Sequence, residues 1–356
     1  MPSAVRCCHR GRRQGHMNLK EFAQAIGMSQ TTVSRALSGY PEVKPETRQR
    51  ILKLADELGY HPNRSAAGLA TGRAGAVGIV LKEATGFDPN TTEFMAGLGT
   101  RLETGQIDIL ITVVDNEAGE LAAYRRLAAS KRVDAVIVHT PKTGDGRMAF
   151  LKALGMPFIV HGRGVEGEGY PWLDIDNFGA VHRATSYLLQ LGHRQIGLIN
   201  GARGDVFAEH RLAGYRKAMK DYGISAPERW IVHGPFTDDV GYRATQDFLA
   251  LPDPPTALLA GSMMTALGVM RAVRSAGLAL GADISLIAHD DVFNYINADN
   301  MVPTVSTTRS SMREAGARIG DLLLQMLSGR DISKFSEIWP VELVLRESTC
   351  PPPVNR

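Results

Sequence analysis

The sequence predicts an all-α helix-turn-helix head followed by an α/β core of two lobes with parallel sheets. Three observations carry this. Two short amphipathic helices joined by a glycine turn occupy residues 18–37. From residue 76 onward, β-branched apolar runs alternate with helical patterns. That alternation then happens a second time, which makes two similar units in tandem.

In NLKEFAQAIGMSQTTVSRAL, Leu19, Phe22, Ala23 and Ile26 recur at helical spacing and form one apolar face. Gly27 ends that helix, because glycine takes a left-handed C-terminal position without steric cost. Ser29 is a suitable N-cap for the next helix, where Val33, Ala36 and Leu37 form the apolar face. Gln30, Thr31, Thr32, Ser34 and Arg35 then point outward: an amide, short hydroxyls and a guanidinium, the groups that reach base edges and phosphates. Taken alone, the pattern is more often an ordinary surface αα-hairpin; the downstream sequence reverses that reading. A third helix starts at Pro45, with Ile51, Leu54, Ala55 and Leu58 as its buried stripe and Gly59 as its cap. HPNRSAAGLATGRAGA follows, a linker by composition, in which 65–70 can form a helical turn.

The first α/β series has strands at 76–81, 107–114, 133–139 and 157–162, all of the fully buried type, with helices near 91–105, 117–130 and 146–154. The second has strands at 195–201, 229–236, 256–262 and 283–291, with helices near 177–191, 207–221, 239–250 and 264–276. A helix at about 310–328 and a strand at 341–347 finish the pattern, ahead of a disordered tail.

At 356 residues the chain calls for two or three domains. Its 44% hydrophobic and 22% charged content is that of an ordinary globular protein. Net charge is only +3, yet twelve Lys and Arg residues between Arg6 and Arg73 crowd the start. That asymmetry points to a nucleic-acid partner for the N-terminal part, a solvated basic face being the plainer reading. Three cysteines, Cys7, Cys8 and Cys350, give neither a disulfide framework nor metal spacing and fit a reduced cytoplasm. No apolar segment is long enough to span a bilayer. The opening MPSAVRCCHRGRRQGH lacks the apolar stretch of a secretory signal and reads as a disordered extension, with Met17 a second candidate start.

Two long motifs, SQTTVSRALSGYPEVKPETRQRI and GYHPNRSAAGLATGR, precede four core motifs in order: DIDNFGAV, LGHRQIGLING, HRLAGYRKAM and DISLIAHDD. On these the chain resembles the LacI/GalR family of transcription regulators over nearly all of 17–349. The resemblance implies a DNA-binding head, a hinge, and a periplasmic-binding-protein-like core whose chain crosses between the lobes three times. It assigns base reading to Gln30 and Thr31, a guanine or phosphate contact to Arg35, and backbone contacts to Ser29, Thr32 and Ser34. Asn63 falls with the DNA-contacting hinge motif. Leu69 matches a leucine wedged into the minor groove, the plainer alternative being a linker residue packed on its own domain. Arg211 matches an effector-binding arginine, whose fork of donors suits sugar hydroxyls or a carboxylate. Asp290, at a parallel strand's end, is a candidate acceptor for sugar hydroxyls. Phe236 matches an aromatic stacking position, though alone it reads as core. Ser262 stands where many members carry an asparagine, and Met263 where they carry an aspartate, so the match there is weak. His161 and Arg163 end a strand facing the same cleft, and His161 is equally readable as a satisfied buried histidine.

The expected boundaries are a disordered extension at 1–16, the helix-turn-helix domain at 17–62, the hinge at 63–76, the core at 77–349 and a disordered tail at 350–356. Lobe 1 is expected at about 77–173 and 306–335, lobe 2 at about 174–305 and 336–349. The resulting expectation is a cytoplasmic repressor, homodimeric because one head reads only half of a near-palindromic operator. Its small-molecule effector is expected to be a sugar, and GYPEV, VHGR, AHDD and TRSS look most like the AglR-like, α-glucoside-utilisation branch, with a non-sugar effector such as a nucleobase as the alternative. No cofactor and no metal are expected, and no membrane partner. A sugar-binding protein without a regulatory role would share the core but lack the head. An enzyme would need a nucleophile elbow, metal cluster or phosphate loop that the sequence does not carry.

Overall fold

The computed structural model describes residues 17–37, 40, 42–60, 73–83, 88–164, 169–290, 292–293 and 295–353. It divides into two compact units, one ending at Gly75 and the other beginning at Ala76. The core therefore starts one residue before the expected 77, because Ala76 already pairs with Asp108.

In the first unit, α1 (Leu19–Ala25) opens on a capping box: Asn18 Oδ1 accepts from Glu21 N at 3.0 Å and Glu21 Oε2 accepts from Asn18 N at 2.9 Å. Gly27 takes φ +66° and turns the chain into α2 (Gln30–Leu37). α3 (Pro45–Glu57) closes a small core of Phe22, Ala23, Val33, Ala36, Ile51 and Ala55. Tyr60 completes it, stacking on Phe22 with ring centroids 4.3 Å apart. The expected buried Leu58 is exposed instead. The helix has already ended, and the chain turns through Gly59 so that Tyr60 fills the space.

The second unit holds two six-stranded sheets among the described residues. The first contains β1 (Ala76–Lys82), β2 (Asp108–Val114), β3 (Ala135–His139), β4 (Phe158–His161), β5 (Trp172–Ile175) and β11 (Ser336–Trp339), in the order β11-β5-β4-β3-β1-β2. The second contains β6 (Ile196–Asn200), β7 (Ile231–His233), β8 (Ala257–Ala260), β9 (Ser285–Asp290), β10 (Ser306–Arg309) and β12 (Glu342–Val344), in the order β12-β10-β9-β8-β6-β7. All pairings are parallel except β10 with β12. The helices are α4 (Pro89–Glu103), α5 (Glu117–Ser130), α6 (Arg147–Ala153), α7 (Asn177–Gln190), α8 (Val206–Asp221), α9 (Asp238–Leu249), α10 (Met263–Ser275) and α11 (Met312–Leu327).

The chain crosses between sheets three times: after Ile175, between Arg309 and Met312, and after Trp339. Three expected lobe boundaries move accordingly. All of β5 belongs to the first sheet, so lobe 1 runs past 173. Residues 306–309 belong to lobe 2, since β10 pairs with β9 before α11 returns to pack on α4. Residues 336–339 belong to lobe 1, where β11 pairs with β5. That return is tight: a Cβ at Gly316 would lie 2.0 Å from Phe94 O, and one at Gly97 1.8 Å from Arg313 O.

Two further expectations are corrected. Strand 107–114 was of the fully buried type by composition, but β2 is an edge strand that exposes Ile111 and Val113. The tail does not begin at 350: Cys350 N donates to Ser285 Oγ at 2.9 Å, and its carbonyl lies 2.8 Å from His193 Nε2. A buried histidine and serine therefore anchor the chain end.

Candidate functional site

In the head, Ser29 Oγ caps α2, accepting from Thr32 N at 3.1 Å and lying 2.8 Å from Thr32 Oγ1. Val33 and Ala36 are buried, which turns Gln30, Thr31 and Arg35 into solvent while Thr32 and Ser34 stay half-buried. The helix's donors and acceptors thus sit on one face of a rigid three-helix core. Asn63 and Leu69 lie outside the described residues.

In the second unit, candidate residues gather at the C-terminal ends of the parallel strands, where open α/β sheets place ligand groups. The loops leaving β3 and β6 meet there: Thr143 N donates to Gly204 O at 2.8 Å and Val206 N to Pro141 O at 3.1 Å. The two lobes therefore touch at this edge of the cleft.

From the first sheet, His161 ends β4 beside His139 at the end of β3, their Nδ1 atoms 3.0 Å apart. Phe94 stacks on His161 at 4.5 Å. The sequence showed no partner for His161; the fold supplies one. Burial and the nearby Arg147 cation push His139 down to about 4. Burial and the neighbouring His139 hold His161 well below the ordinary histidine range. Both rings are therefore neutral at pH 7, one donating and the other accepting. Arg163 Nε lies 3.2 Å from Asp174 Oδ2, an ion pair without hydrogen-bond alignment. Burial pushes Asp174 up to about 6 despite Arg163, the Ile175 backbone donor and Arg211.

From the second sheet, Arg211 on α8 is buried, donating from Nε to Asn177 Oδ1 and from Nη1 to Gly261 O, both at 2.8 Å. Its Cζ lies 5.2 Å from the Phe207 ring centre and 5.9 Å from that of Phe236. Phe236 is half-buried, tilted against Phe207 at 5.8 Å. Ser262, expected to offer the effector one hydrogen bond, also has a structural task. It is 1% exposed, and its hydroxyl caps α10 by accepting from Thr265 N at 3.1 Å. Asp290 closes β9 opposite Arg309, with its side chain outside the described residues.

Sequence reasoning missed His139, Asp174, Asn177 and Phe207. Asp174 and Asn177 stood in DIDNFGAV, and strand-end position was the available signal for His139. It also missed Asn200 Oδ1, His210 Nδ1 and His233 Nε2, which are buried without hydrogen-bond partners among the described residues. Guanidinium donors, aromatic faces and unsatisfied polar atoms make this cleft suited to a polar ligand with apolar ring faces. Among the described residues no three His, Cys, Asp or Glu side chains converge as a metal site, and no helix is long and apolar enough to cross a membrane.

Comparison with known proteins agrees with this geometry. Residues 18–63 match the model of bacterial regulatory proteins of the lacI family, and residues 185–349 match a periplasmic binding protein-like domain. The chain is 45% identical to the HTH-type transcriptional regulator AglR of Rhizobium meliloti over 340 residues, 95% of each chain. It resembles the transcriptional regulator CelR–cellobiose complex with a TM-score of 0.70 and 27% identity, covering 93% of this chain and 99% of that one. It resembles the Lac repressor dimer bound to operator and the anti-inducer ONPF with a TM-score of 0.81 and 25% identity, covering 94% and 100%. With its helix-turn-helix head, its two-lobed core and this relationship along almost its whole length, the chain belongs to the lacI family of bacterial regulatory proteins.

Proposed function

We propose that the chain is a DNA-binding transcriptional repressor of carbohydrate utilisation, with operator affinity set by a sugar held between the core lobes. The observation that carries this is Arg211: a buried guanidinium fixed by Asn177 and Gly261 and flanked by two aromatic rings in the cleft. Such a group offers donors to paired hydroxyls, while Phe207 and Phe236 offer faces to sugar C–H groups. The AglR relationship and the cellobiose complex of CelR favour a sugar, and an α-glucoside in particular is our reading of the former.

In the head, Gln30 and Thr31 read base edges in the major groove, Arg35 contacts a guanine or phosphate, and Ser29, Thr32 and Ser34 contact the backbone. Leu69 opens a base step in the minor groove. Two copies are needed for two half-sites, and the exposed apolar edge at Ile111 and Val113 of β2 suits pairing between copies. The protein works in the cytoplasm and turns over no substrate.

The sugar acts through its differential affinity for two arrangements of the lobes. Closure around Arg211 changes the spacing of the two hinges, and a hinge that cannot reach its partner leaves the minor groove. The test selects an operator from a random DNA library with the full chain, then titrates maltose, trehalose and sucrose against the complex. Release by one of them is expected. Unchanged operator affinity with all three, together with a response to a nucleobase, would overturn the sugar reading.

A further inference from the structure

Trp172–Ile175 is the last strand before the chain first leaves lobe 1, and Asn177 begins the first helix of lobe 2. Asp174 lies immediately before that crossing, with its side chain 7% exposed. Its Oδ1 accepts from Ile175 N at 2.8 Å and from Asn177 Nδ2 at 3.3 Å, while Oδ2 faces Arg163 Nε at 3.2 Å. Asn177 is 2% exposed and turns its other end, Oδ1, to Arg211 Nε. Asn177 Nδ2 also donates to Ile175 O at 3.3 Å, and Arg211 Nε can only donate, so the carboxylate shares with these two groups the setting of the amide's orientation. Two guanidinium groups, one from each lobe, are thereby joined through one carboxylate and one amide across the hinge.

We propose that Asp174 is a positioning residue of the effector site, holding Arg163 by charge and Arg211 through Asn177 and so coupling the two lobes. The proposal rests on the reading that the effector contacts Arg211. Protonation of Asp174 weakens the coupling: a neutral carboxyl holds Arg163 weakly and accepts less strongly from Asn177 Nδ2, while Ile175 O keeps the amide's orientation. The charged and titratable groups facing Asp174 are Arg163 beyond the end of β4, Arg211 on α8 and Asp176 on its own segment. His161 lies on the adjacent strand beside Leu173, and His210 on α8 faces Arg163. His161 is held well below its ordinary range and stays neutral in the window that matters.

The test follows the guanidinium Nε–H resonances of Arg163 and Arg211 by nitrogen-15 NMR in the full chain without sugar, from pH 8 to pH 5. Both are expected to move together in the wild type, and neither in Asp174→Asn. Asn177→Ala should shrink the Arg211 response to the through-space effect of the carboxylate and leave that of Arg163. Superimposable Arg211 resonances in wild type and Asp174→Asn, or independent pH midpoints of the two arginines in the wild type, would overturn the proposal. The wild-type titration needs no substitution, so a poorly folding variant does not remove the test. Whichever of maltose, trehalose or sucrose binds the wild type should bind Asp174→Asn about tenfold more weakly at pH 7.5, with a flat pH profile. Equal affinity would likewise overturn it. Coupled resonances without binding of any of the three sugars would support the relay and count against the sugar reading instead.

Discussion

Asp174→Asn should make the core more stable at neutral pH, although it removes an ion-pair partner. The folded chain raises this carboxyl from 3.8 to about 6, chiefly by burial. At about 1.4 kcal/mol per pH unit, ionising Asp174 in the folded state therefore costs about 3 kcal/mol. The attraction of Arg163 is already contained in that figure. Because the folded pKa is the higher one, the folded state keeps a proton that the unfolded state has lost. The cost is therefore absent below about pH 4, grows as pH rises toward 6, and is complete above that. Asparagine resembles the protonated carboxyl in size and never ionises. The thermal midpoint of the core transition, followed by circular dichroism at pH 4.5, 6 and 7.5, should rise by several degrees in the variant at pH 7.5, at about 2–4 °C per kcal/mol. The difference should shrink steadily as pH falls. A variant less stable than wild type at pH 7.5, or a difference that ignores pH, would refute the reasoning.

Other outcomes are expected from other parts of the chain. Gly316→Ala places a methyl group 2.0 Å from Phe94 O where α11 crosses α4, and should destabilise the core by at least ~1–3 kcal/mol in chemical denaturation. Tyr60→Ala removes a ring stacked on Phe22 inside a very small core; at about 3–5 kcal/mol it should unfold the head and abolish operator binding while sugar affinity persists. Substituting Gln30 or Thr31 should shift base preference in a systematic operator library, and Leu69→Ala should weaken operator binding and reduce DNA bending in gel-mobility assays. Arg211→Ala should lose charge-assisted hydrogen bonds of about 1.5–3 kcal/mol each and weaken calorimetric sugar binding at least tenfold.

How much of this was legible depended on what each residue's role needs from sequence neighbours. β1, β6 and β8 are surrounded by protein and read as apolar runs with at most a polar last residue, AVGIVLK, IGLIN and ALLA. β5, β10 and β11 read WLDI, STTR and SEIW, too short and too polar to carry a period, so the crossings they define could be placed only approximately. β2 is as apolar as its neighbours, and nothing local says that it lies at an edge. In the head, helical spacing located the core, but the end of α3 hid the exchange of Leu58 for Tyr60. At the site, Arg211 was recognisable from HRLAGYR. At Ser262 a serine before a helix can serve as cap or ligand, and sequence alone did not show that it caps α10. Asp174, Asn177 and Arg211 become neighbours only when the first crossing is made, which no local pattern reveals.

The central claim is that a sugar in the cleft sets the grip of the heads on DNA. The most direct measurement is operator affinity by fluorescence anisotropy, at fixed salt because phosphate contacts make affinity steeply salt-dependent. It would compare wild type and Arg211→Ala with and without the sugar that binds the wild type. The account predicts that the sugar weakens wild-type operator binding and leaves Arg211→Ala insensitive at the same concentration. Equal release of both proteins would contradict it, as would a wild-type complex indifferent to a sugar that calorimetry shows to be bound.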